Sequence, residues 1–134
     1  MSLLDPWNVE FFAEEDGSFP VRAWLDGVPE EVRGRIIARI DLLKKGGPTL
    51  DYPYTSQIEG RLREVRVRVG KTRYRVLYFF DQHRTAVLLH GFTKTTATVE
   101  EGDKRIGRAR MAQHEARQLT KSRGTDRVKG SKCR

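Results

Sequence analysis

A group of arginines on two neighbouring predicted strands has the chemistry to bind phosphate. In the segment 62–69, valines alternate with charged residues, so Arg66 and Arg68 should share one face of a strand whose other face is apolar. Arg75 lies on the strand that follows. Guanidinium groups on rigid strands bind phosphate oxygens in a fixed geometry, so this pattern predicts a phosphate clamp of Arg66, Arg68 and Arg75. Charge that merely keeps a strand face soluble is the alternative explanation.

Three more cations flank the predicted clamp along the chain. Arg63 precedes Arg66 on the same strand, Lys71 lies in the turn that follows, and Arg73 begins the next strand. We expect Arg63, Lys71 and Arg73 to bind the backbone of a nucleic acid beside the clamp.

The distribution of charge along the chain supports a polyanionic ligand. The net charge of +8 is made up of −5 in residues 1–60, +4 in 61–103 and +9 in 104–134. A chain that changes from acidic to basic along its length is typical of one cationic surface, whereas charge that serves solubility alone is mixed. Phosphate contacts should therefore dominate the affinity and make it fall with salt.

A candidate proton-transfer group lies near the end of the third strand of this region. His90 stands in an apolar strand segment close to Lys94. Imidazole exchanges protons near neutral pH, so His90 is the candidate general acid or base, and Lys94 is a candidate for charge stabilisation. The alternatives are a histidine bonded to a backbone carbonyl at the edge of the core, and a plain surface lysine.

Other kinds of site find little support in the composition. The single cysteine, Cys133, excludes an internal disulfide and a cysteine-based metal cluster, and His83, His90 and His114 lack metal-ligand spacing. We therefore expect no metal and no cofactor. No segment is long and apolar enough to span a bilayer, and Met1–Asp5 lacks the features of a signal peptide, so we expect a cytoplasmic protein without membrane partners.

The elements that would position these residues can be predicted from periodicity and turn residues. Residues 7–12 alternate as a strand does, and two helices follow, a short one capped by Ser18 that ends at Gly27 and a second from Pro29 to about Lys45. Residues 48–60 are expected to be an irregular connection. The remaining expected elements are strands at 62–69, 73–80 and 85–92 and a last helix at about 99–119.

The expected fold class is α+β, with two N-terminal helices packed on a four-stranded, antiparallel-rich sheet and a C-terminal helix. From Lys121 the sequence has no apolar periodicity, so we expect a basic disordered tail. Residues 1–112 should form the folded domain, and residues 113–134 the basic end of the helix and the tail.

Three motifs stand in a characteristic order along the chain. They are Leu62-Arg63-Glu64-Val65-Arg66, Arg73-Tyr74-Arg75-Val76-Leu77-Tyr78-Phe79 and Leu89-His90-Gly91-Phe92-Thr93-Lys94. In this order, and after a helical hairpin, they resemble the RelE/ParE toxin superfamily, above all its HigB-type, phage-derived branch. The patterns of that branch are Leu-x-Glu-Leu-Arg, Tyr-Arg-Val-Leu-Tyr-Phe and Leu-His-Gly-Phe-x-Lys-Lys-Thr. The resemblance covers roughly residues 7–112.

The resemblance implies a specific activity and a site. Members of the superfamily typically cut messenger RNA in the ribosomal A site, without a metal, to a 2′,3′-cyclic phosphate and a 5′-hydroxyl. A cognate antitoxin protein neutralises them. Carried over by position, Arg66, Arg68 and Arg75 match basic positions of the site, His90 matches the histidine of His-Gly-Phe, and Lys94 matches a basic residue after the last strand.

The sequence also departs from the family pattern in ways that leave alternatives open. Thr95 and Thr96 stand where the branch often has Lys-Thr, and the C-terminal catalytic tyrosine of some RelE proteins has no counterpart after Tyr78. A gyrase-directed toxin of the ParE kind and a non-catalytic RNA-binding regulator are the alternatives to a messenger RNA endoribonuclease. The clustered basic residues count against the first of these.

Overall fold

A five-stranded sheet flanked by three helices forms the core of the protein. The structure is a computed structural model that describes residues 7–96 and 98–132, with side chains up to Lys121. Met1–Asp5, on which the expectation of no signal peptide rests, and Cys133, the single cysteine, lie outside the described residues. In chain order the elements are β1 Asn8–Phe11, α1 Pro20–Gly27, α2 Glu30–Gly46, a 3-10 turn Gly47–Thr49, β2 Thr55–Glu59, β3 Leu62–Val69, β4 Thr72–Phe80, β5 Thr85–Lys94 and α3 Glu101–Lys132.

The sheet has one more strand than the sequence predicted. The strand order is β1-β5-β4-β3-β2, with β1 parallel to β5 and the other pairs antiparallel. The additional strand is β2, in the segment 48–60 that was predicted to be irregular, so this prediction was wrong. Its sequence Thr-Ser-Gln-Ile-Glu has little apolar alternation, and pairing with β3, not periodicity, fixes it as a strand.

The two N-terminal helices cover one face of the sheet, as predicted. Val65, Val67 and Val76 on the strands pack against Ile36 and Leu43 of α2 in the larger apolar cluster. Because side chains alternate along β3, this packing directs Glu64, Arg66 and Arg68 to the opposite face.

The opposite face carries a smaller apolar cluster that α3 partly covers. Gly107 of α3 is buried directly over this cluster, and a Cβ there would lie 3.0 Å from Leu77 Cδ1 and 3.2 Å from Leu62 Cδ1. Gly107 thus lets the helix approach the sheet closely, although glycine lowers helix propensity. Ile106 and Leu119, two other apolar residues of α3, are 37% and 55% exposed and take little part in this packing.

Polar contacts at His114 and Gln118 join α3 to the turn between β4 and β5. One carboxylate oxygen of Asp81, Oδ1, accepts hydrogen bonds from the backbone N–H groups of His83 (2.7 Å) and Thr85 (3.1 Å). The other, Oδ2, accepts a bond from Gln118 Nε2 (2.8 Å) and lies 3.2 Å from His114 Nε2. A single buried carboxylate therefore joins the turn to the helix.

The last helix is longer than predicted. It continues to Lys132, whereas the sequence predicted an end near Leu119 and disorder from Lys121. Adding residues to an existing helix avoids the cost of nucleation, and lysine and arginine have good helix propensity, so the helix can extend without an apolar face. Within the described residues, no helix is apolar enough over a sufficient length to cross a bilayer.

Gly91 of the His-Gly-Phe motif provides a test of the packing of α1 on the sheet. A Cβ at Gly91 would lie 2.3 Å from Cε3 of Trp24 in α1. Gly91→Ala should therefore force α1 from the sheet and lower the free energy of unfolding by about 1–3 kcal/mol. Gly34→Ala is the matched control, because a Cβ at this position in α2 meets nothing within 4 Å.

The control should raise the free energy of unfolding by about 1 kcal/mol, through helix propensity. Urea denaturation followed by circular dichroism measures both variants. Equal stability of Gly91→Ala and the wild type would show that the sheet and α1 do not require this close approach.

Candidate nucleic-acid interface

Strand register brings the predicted basic residues together. Arg66 pairs with Arg75, Arg68 with Arg73, and Arg73 with Lys94, so all five occupy neighbouring positions on one face of β3, β4 and β5. This is the face that α3 covers around Leu62 and Leu77, and the cations lie farther along the strands, toward the β3–β4 turn. The sequence predicted a shared face for Arg66 and Arg68, with Arg75 on the neighbouring strand.

Arg75 is not the exposed cation that the sequence predicted. Its side chain is 3% exposed, and its Nε lies 3.1 Å from Oε1 of Glu64, which is equally buried. The other oxygen of Glu64 accepts hydrogen bonds from Arg66 Nη1 (2.8 Å) and Ser56 Oγ (2.7 Å). One buried carboxylate thus orients two arginines, and we call Glu64, Arg66 and Arg75 the arginine clamp.

Electrostatics favours an added anion at the arginine clamp. Burial lowers the pKa of Arg75, attraction by Glu64 opposes this effect, and repulsion from Arg66 and Arg73 adds to it. Arginine nevertheless stays protonated in proteins, so the clamp carries two positive charges against the single negative charge of Glu64. The excess positive charge in a partly dehydrated setting can be neutralised by a phosphate.

Tyr52 adds an aromatic surface to the clamp. The guanidinium carbon of Arg66 lies 5.1 Å from the centre of the Tyr52 ring, and Tyr52 is 69% exposed. An exposed ring stacked on an arginine beside a phosphate site is suited to stacking with a base.

Lys94 is buried rather than a plain surface lysine. Its side chain is 8% exposed, with Nζ 3.5 Å from Oε1 of Glu100 and 6.0 Å from the centre of the Phe92 ring. Among the described residues, Nζ has no hydrogen-bond partner with good geometry. The buried ammonium group therefore has hydrogen-bonding capacity that its ion pair with Glu100 does not fill.

His90 forms a pair with a carboxylate that the sequence did not suggest. Its Nε2 lies 2.8 Å from Oδ1 of Asp103 at the start of α3, and its ring stacks on Phe92 with the centres 5.3 Å apart. A bulge in β5 next to Leu77 turns His90 to the α3 side of the sheet. A carboxylate that holds one imidazole nitrogen fixes the orientation of the ring, which is the arrangement that proton-transfer histidines require.

The remaining predicted contacts are dispersed. Arg63 lies on the face covered by α2, where its Nε donates to Tyr78 Oη (3.2 Å) and its Nη2 to Thr55 Oγ1 (3.2 Å). Lys71 is exposed at the tip of the β3–β4 turn, and Arg73 donates to the backbone oxygen of Thr95 at 2.9 Å. Arg63 is therefore a structural residue here, and the prediction that it lies beside the clamp was wrong.

Three residues of the interface were missed as functional residues. Alternation along β3 placed Glu64 on the same face as Arg66, which was a usable signal for an ion pair. Asp103 and Tyr52 gave no such signal, because their contacts with His90 and Arg66 depend on how α3 and the loop before β2 fold onto the sheet.

One group of side chains in the described part of the chain has the composition of a metal site. Ligand atoms of Glu10, Asp81 and His114 lie within 4.8 Å of one another at the far end of the sheet from the clamp. Both Asp81 oxygens already accept hydrogen bonds that join α3 to the β4–β5 turn, so we interpret the group as a structural contact.

The ion pair in the arginine clamp leads to a stability prediction. Arg75→Ala would leave the Glu64 carboxylate buried beside a cavity, so we expect a loss of about 3–5 kcal/mol in the free energy of unfolding. Arg68→Ala removes an exposed charge from the same face and should change that quantity by less than about 0.5 kcal/mol. Urea denaturation of both variants tests the difference, and equal effects would contradict a structural role for Arg75.

Comparison with known proteins places the chain in a family. A family model described as "Phage derived protein Gp49-like (DUF891)" matches residues 23–112. The chain is also 30% identical over 118 residues to a Mycobacterium tuberculosis (strain ATCC 25618 / H37Rv) protein named "Putative toxin HigB2". The match covers 82% of this chain but 59% of the length of that relative. The chain thus belongs to the phage-derived Gp49-like family, which confirms the HigB-type, phage-derived branch that its motifs predicted.

Proposed function

We propose that the protein is the toxin of a toxin–antitoxin system and that it cuts messenger RNA on the ribosome without a metal. The observation that carries the proposal is the arginine clamp, whose two guanidinium groups are fixed by a buried carboxylate beside a histidine–aspartate pair. The name of the mycobacterial relative supports the assignment as a toxin. A cognate antitoxin protein is the partner that this assignment requires.

The proposed reaction is a transfer within the RNA. The ribose 2′-oxygen attacks the adjacent phosphorus, the bond from phosphorus to the 5′-oxygen breaks, and a 2′,3′-cyclic phosphate and a 5′-hydroxyl form. The protein must align these atoms, move a proton from the first oxygen to the second and stabilise the charge that builds on the phosphoryl oxygens. None of these tasks requires a metal ion.

The arginines would stabilise the transition state. Arg66 and Arg75 are held before the substrate arrives, so they lose little freedom when the phosphoryl oxygens gain charge. Arg68 is exposed on the same face and would bind an adjoining phosphate. Each preorganised donor of this kind contributes about 10²–10³ in rate.

His90 and Lys94 would manage the proton and the leaving group. If the Nε2–H group of His90 donates a hydrogen bond to Asp103, Nδ1 carries the free lone pair and can take the proton from the 2′-hydroxyl. In the paired register, Phe92 lies opposite Arg75 and His90 opposite Leu77, so His90 and Arg75 are diagonal neighbours on the sheet with Cβ atoms roughly 7 Å apart. Once RNA has displaced Glu100, Lys94 would give a proton to the departing 5′-oxygen, while His90 holds the proton taken from the 2′-hydroxyl until exchange with solvent resets both groups.

RNA end chemistry tests the proposed reaction. When the purified protein is added to ribosomes translating a defined message, we expect cuts within the coding region that leave 2′,3′-cyclic phosphate and 5′-hydroxyl ends. Ligation-based sequencing that distinguishes these ends from 3′-hydroxyl and 5′-phosphate ends gives the measurement. Intact message in translating extracts, together with double-stranded DNA breaks in cells, would point to the gyrase-directed alternative.

The proton-transfer assignment can be tested separately with a matched pair of histidines. His90→Gln should lower the single-turnover cleavage rate by about 10²–10⁴ while leaving ribosome binding intact, because glutamine cannot exchange a proton near neutral pH. Asp103→Asn should give a smaller loss and a shifted pH profile. His83→Gln, in the exposed β4–β5 turn, is the control and should cleave at the wild-type rate. A wild-type rate for His90→Gln would mean that another group transfers the proton.

A further inference from the structure

An edge of β3 is accessible next to the arginine clamp. β2 pairs with β3 only as far as Val65, and the next backbone N–H, that of Arg66, donates to the carbonyl oxygen of Tyr54 at 2.9 Å. Beyond Arg66, no described strand pairs with this edge of β3. The edge is therefore open where Arg68 projects to one side and Val67 to the other.

A groove of about 310 Å³ runs between this edge and α2. That volume lies at the lower end of the range typical of sites for small ligands. Its lining combines cations with an exposed aromatic ring and an aliphatic side chain. The main lining residues are Arg35, Arg39, Leu42, Tyr54 and Arg68.

The groove is physically continuous with the arginine clamp. Arg39 Nη1 donates to the backbone oxygen of Arg66 at 2.6 Å, and its guanidinium carbon lies 4.7 Å from the centre of the Tyr54 ring. Arg66 therefore projects into the clamp while its backbone contacts two residues of the groove, Arg39 and Tyr54. A flexible ligand bound at the clamp can enter the groove by passing over the open edge of β3.

The exposed groups in the groove have the chemistry to bind a nucleotide, with an aromatic ring for the base and arginines for the phosphates. Tyr54 is 42% exposed and Leu42 is 41% exposed, so part of the aromatic ring, which has Arg39 over it, and an aliphatic side chain face solvent. Arg35 is mostly exposed, and its partner is Glu31, at 3.2 Å on the same helix. A surface ion pair of this kind is weak and can exchange its carboxylate for a phosphate.

We propose that this groove binds a nucleotide of single-stranded RNA next to the phosphate held by the arginine clamp. The base would stack on Tyr54, and Arg35 and Arg68 would contact the flanking phosphates. Stacking on a tyrosine ring tolerates every base, so the groove would add affinity with little sequence preference. Paired RNA keeps its bases in the helix and could not use the ring, so single-stranded RNA is the ligand. The inference rests on the proposed RNA substrate and extends it to a second subsite.

Binding of uncleavable RNA tests the groove apart from the reaction. The probes are 2′-O-methyl oligonucleotides, one short enough to fill only the clamp and others extended by about three nucleotides at the 5′ or the 3′ end. We expect the full-length protein to bind one of the extended probes more tightly. Tyr54→Leu should weaken binding of the extended probe about tenfold and leave binding of the short probe unchanged. Tyr54→Phe should bind the extended probe as tightly as the wild type does.

Charge variants on α2 provide a matched comparison. Arg35→Ala should reduce the slope of log K against log[salt] for the extended probe by about 0.7, the value for one phosphate contact with a single strand. Lys44→Ala removes one exposed charge from another side of α2 and should leave the slope unchanged. Because Arg35 is exposed, this comparison remains valid if Tyr54→Leu fails to fold.

Several outcomes would overturn the inference. The first is that the wild-type protein binds the extended probes no more tightly than the short one. The second is that the variants lose equal affinity for both probe lengths. The third is that an extended duplex binds as tightly as the extended single strand, which would indicate phosphate contacts without stacking. The assay does not depend on cleavage. If the protein shows the gain in affinity but never cuts RNA, the proposed function is contradicted and the groove is still supported as an RNA-binding site. If it cuts RNA without the gain in affinity, the proposed function is supported and the groove is not.

Discussion

The buried carboxylate of Glu64 is the interaction on which the candidate site depends. Removing a carboxylate from water is costly unless cations and hydrogen bonds compensate for the lost hydration. Here Arg66, Arg75 and Ser56 surround it, so the position of one anion fixes the directions of two guanidinium groups. The cross-strand pairing of Arg66 with Arg75 makes this possible, because it places both side chains within reach of Glu64. The stability of the fold and the proposed binding of an anion therefore depend on the same contacts.

The third helix contributes to the core and to the site at once. Its N-terminal part, at Gly107, closes the smaller apolar cluster over Leu62 and Leu77. The acidic residues at and just before its start meet the two candidate groups on β5, since Asp103 contacts His90 and Glu100 lies near Lys94. Acidic residues are favoured at a helix N-terminus by the helix dipole, and the same residues here orient or neutralise cations of the sheet. The position of α3 thus sets the electrostatics of the site.

Much of the fold follows from local patterns, and the failures have identifiable causes. Alternating valines identified β3 and the face that bears Arg66 and Arg68, and helical spacing identified α1 and α2. The strand β2 was missed because pairing with β3, and not its own sequence, determines its conformation. The burial of Arg75 was missed because alternation predicts the face of a side chain but not what covers that face. Glu64 could have been recognised as its counter-ion from their shared face alone, whereas Asp103 required the tertiary position of α3.

The attachment of α3 through Asp81 gives the protein a specific sensitivity to acid. Burial acts to raise the pKa of Asp81, but hydrogen bonds, the largest from the backbone N–H of His83, outweigh burial and hold the pKa below its ordinary value of 3.8. A carboxyl group with a lowered pKa stabilises the folded state fully above its ordinary pKa, and this contribution is lost as the pH falls through the lowered value. Protonation would weaken the bonds to the β4–β5 turn and to Gln118 together. Below about pH 4, the contacts of α3 at His114 and Gln118 with the β4–β5 turn would therefore weaken before the apolar contacts of α2 do, because the apolar contacts contain no group that titrates in this range.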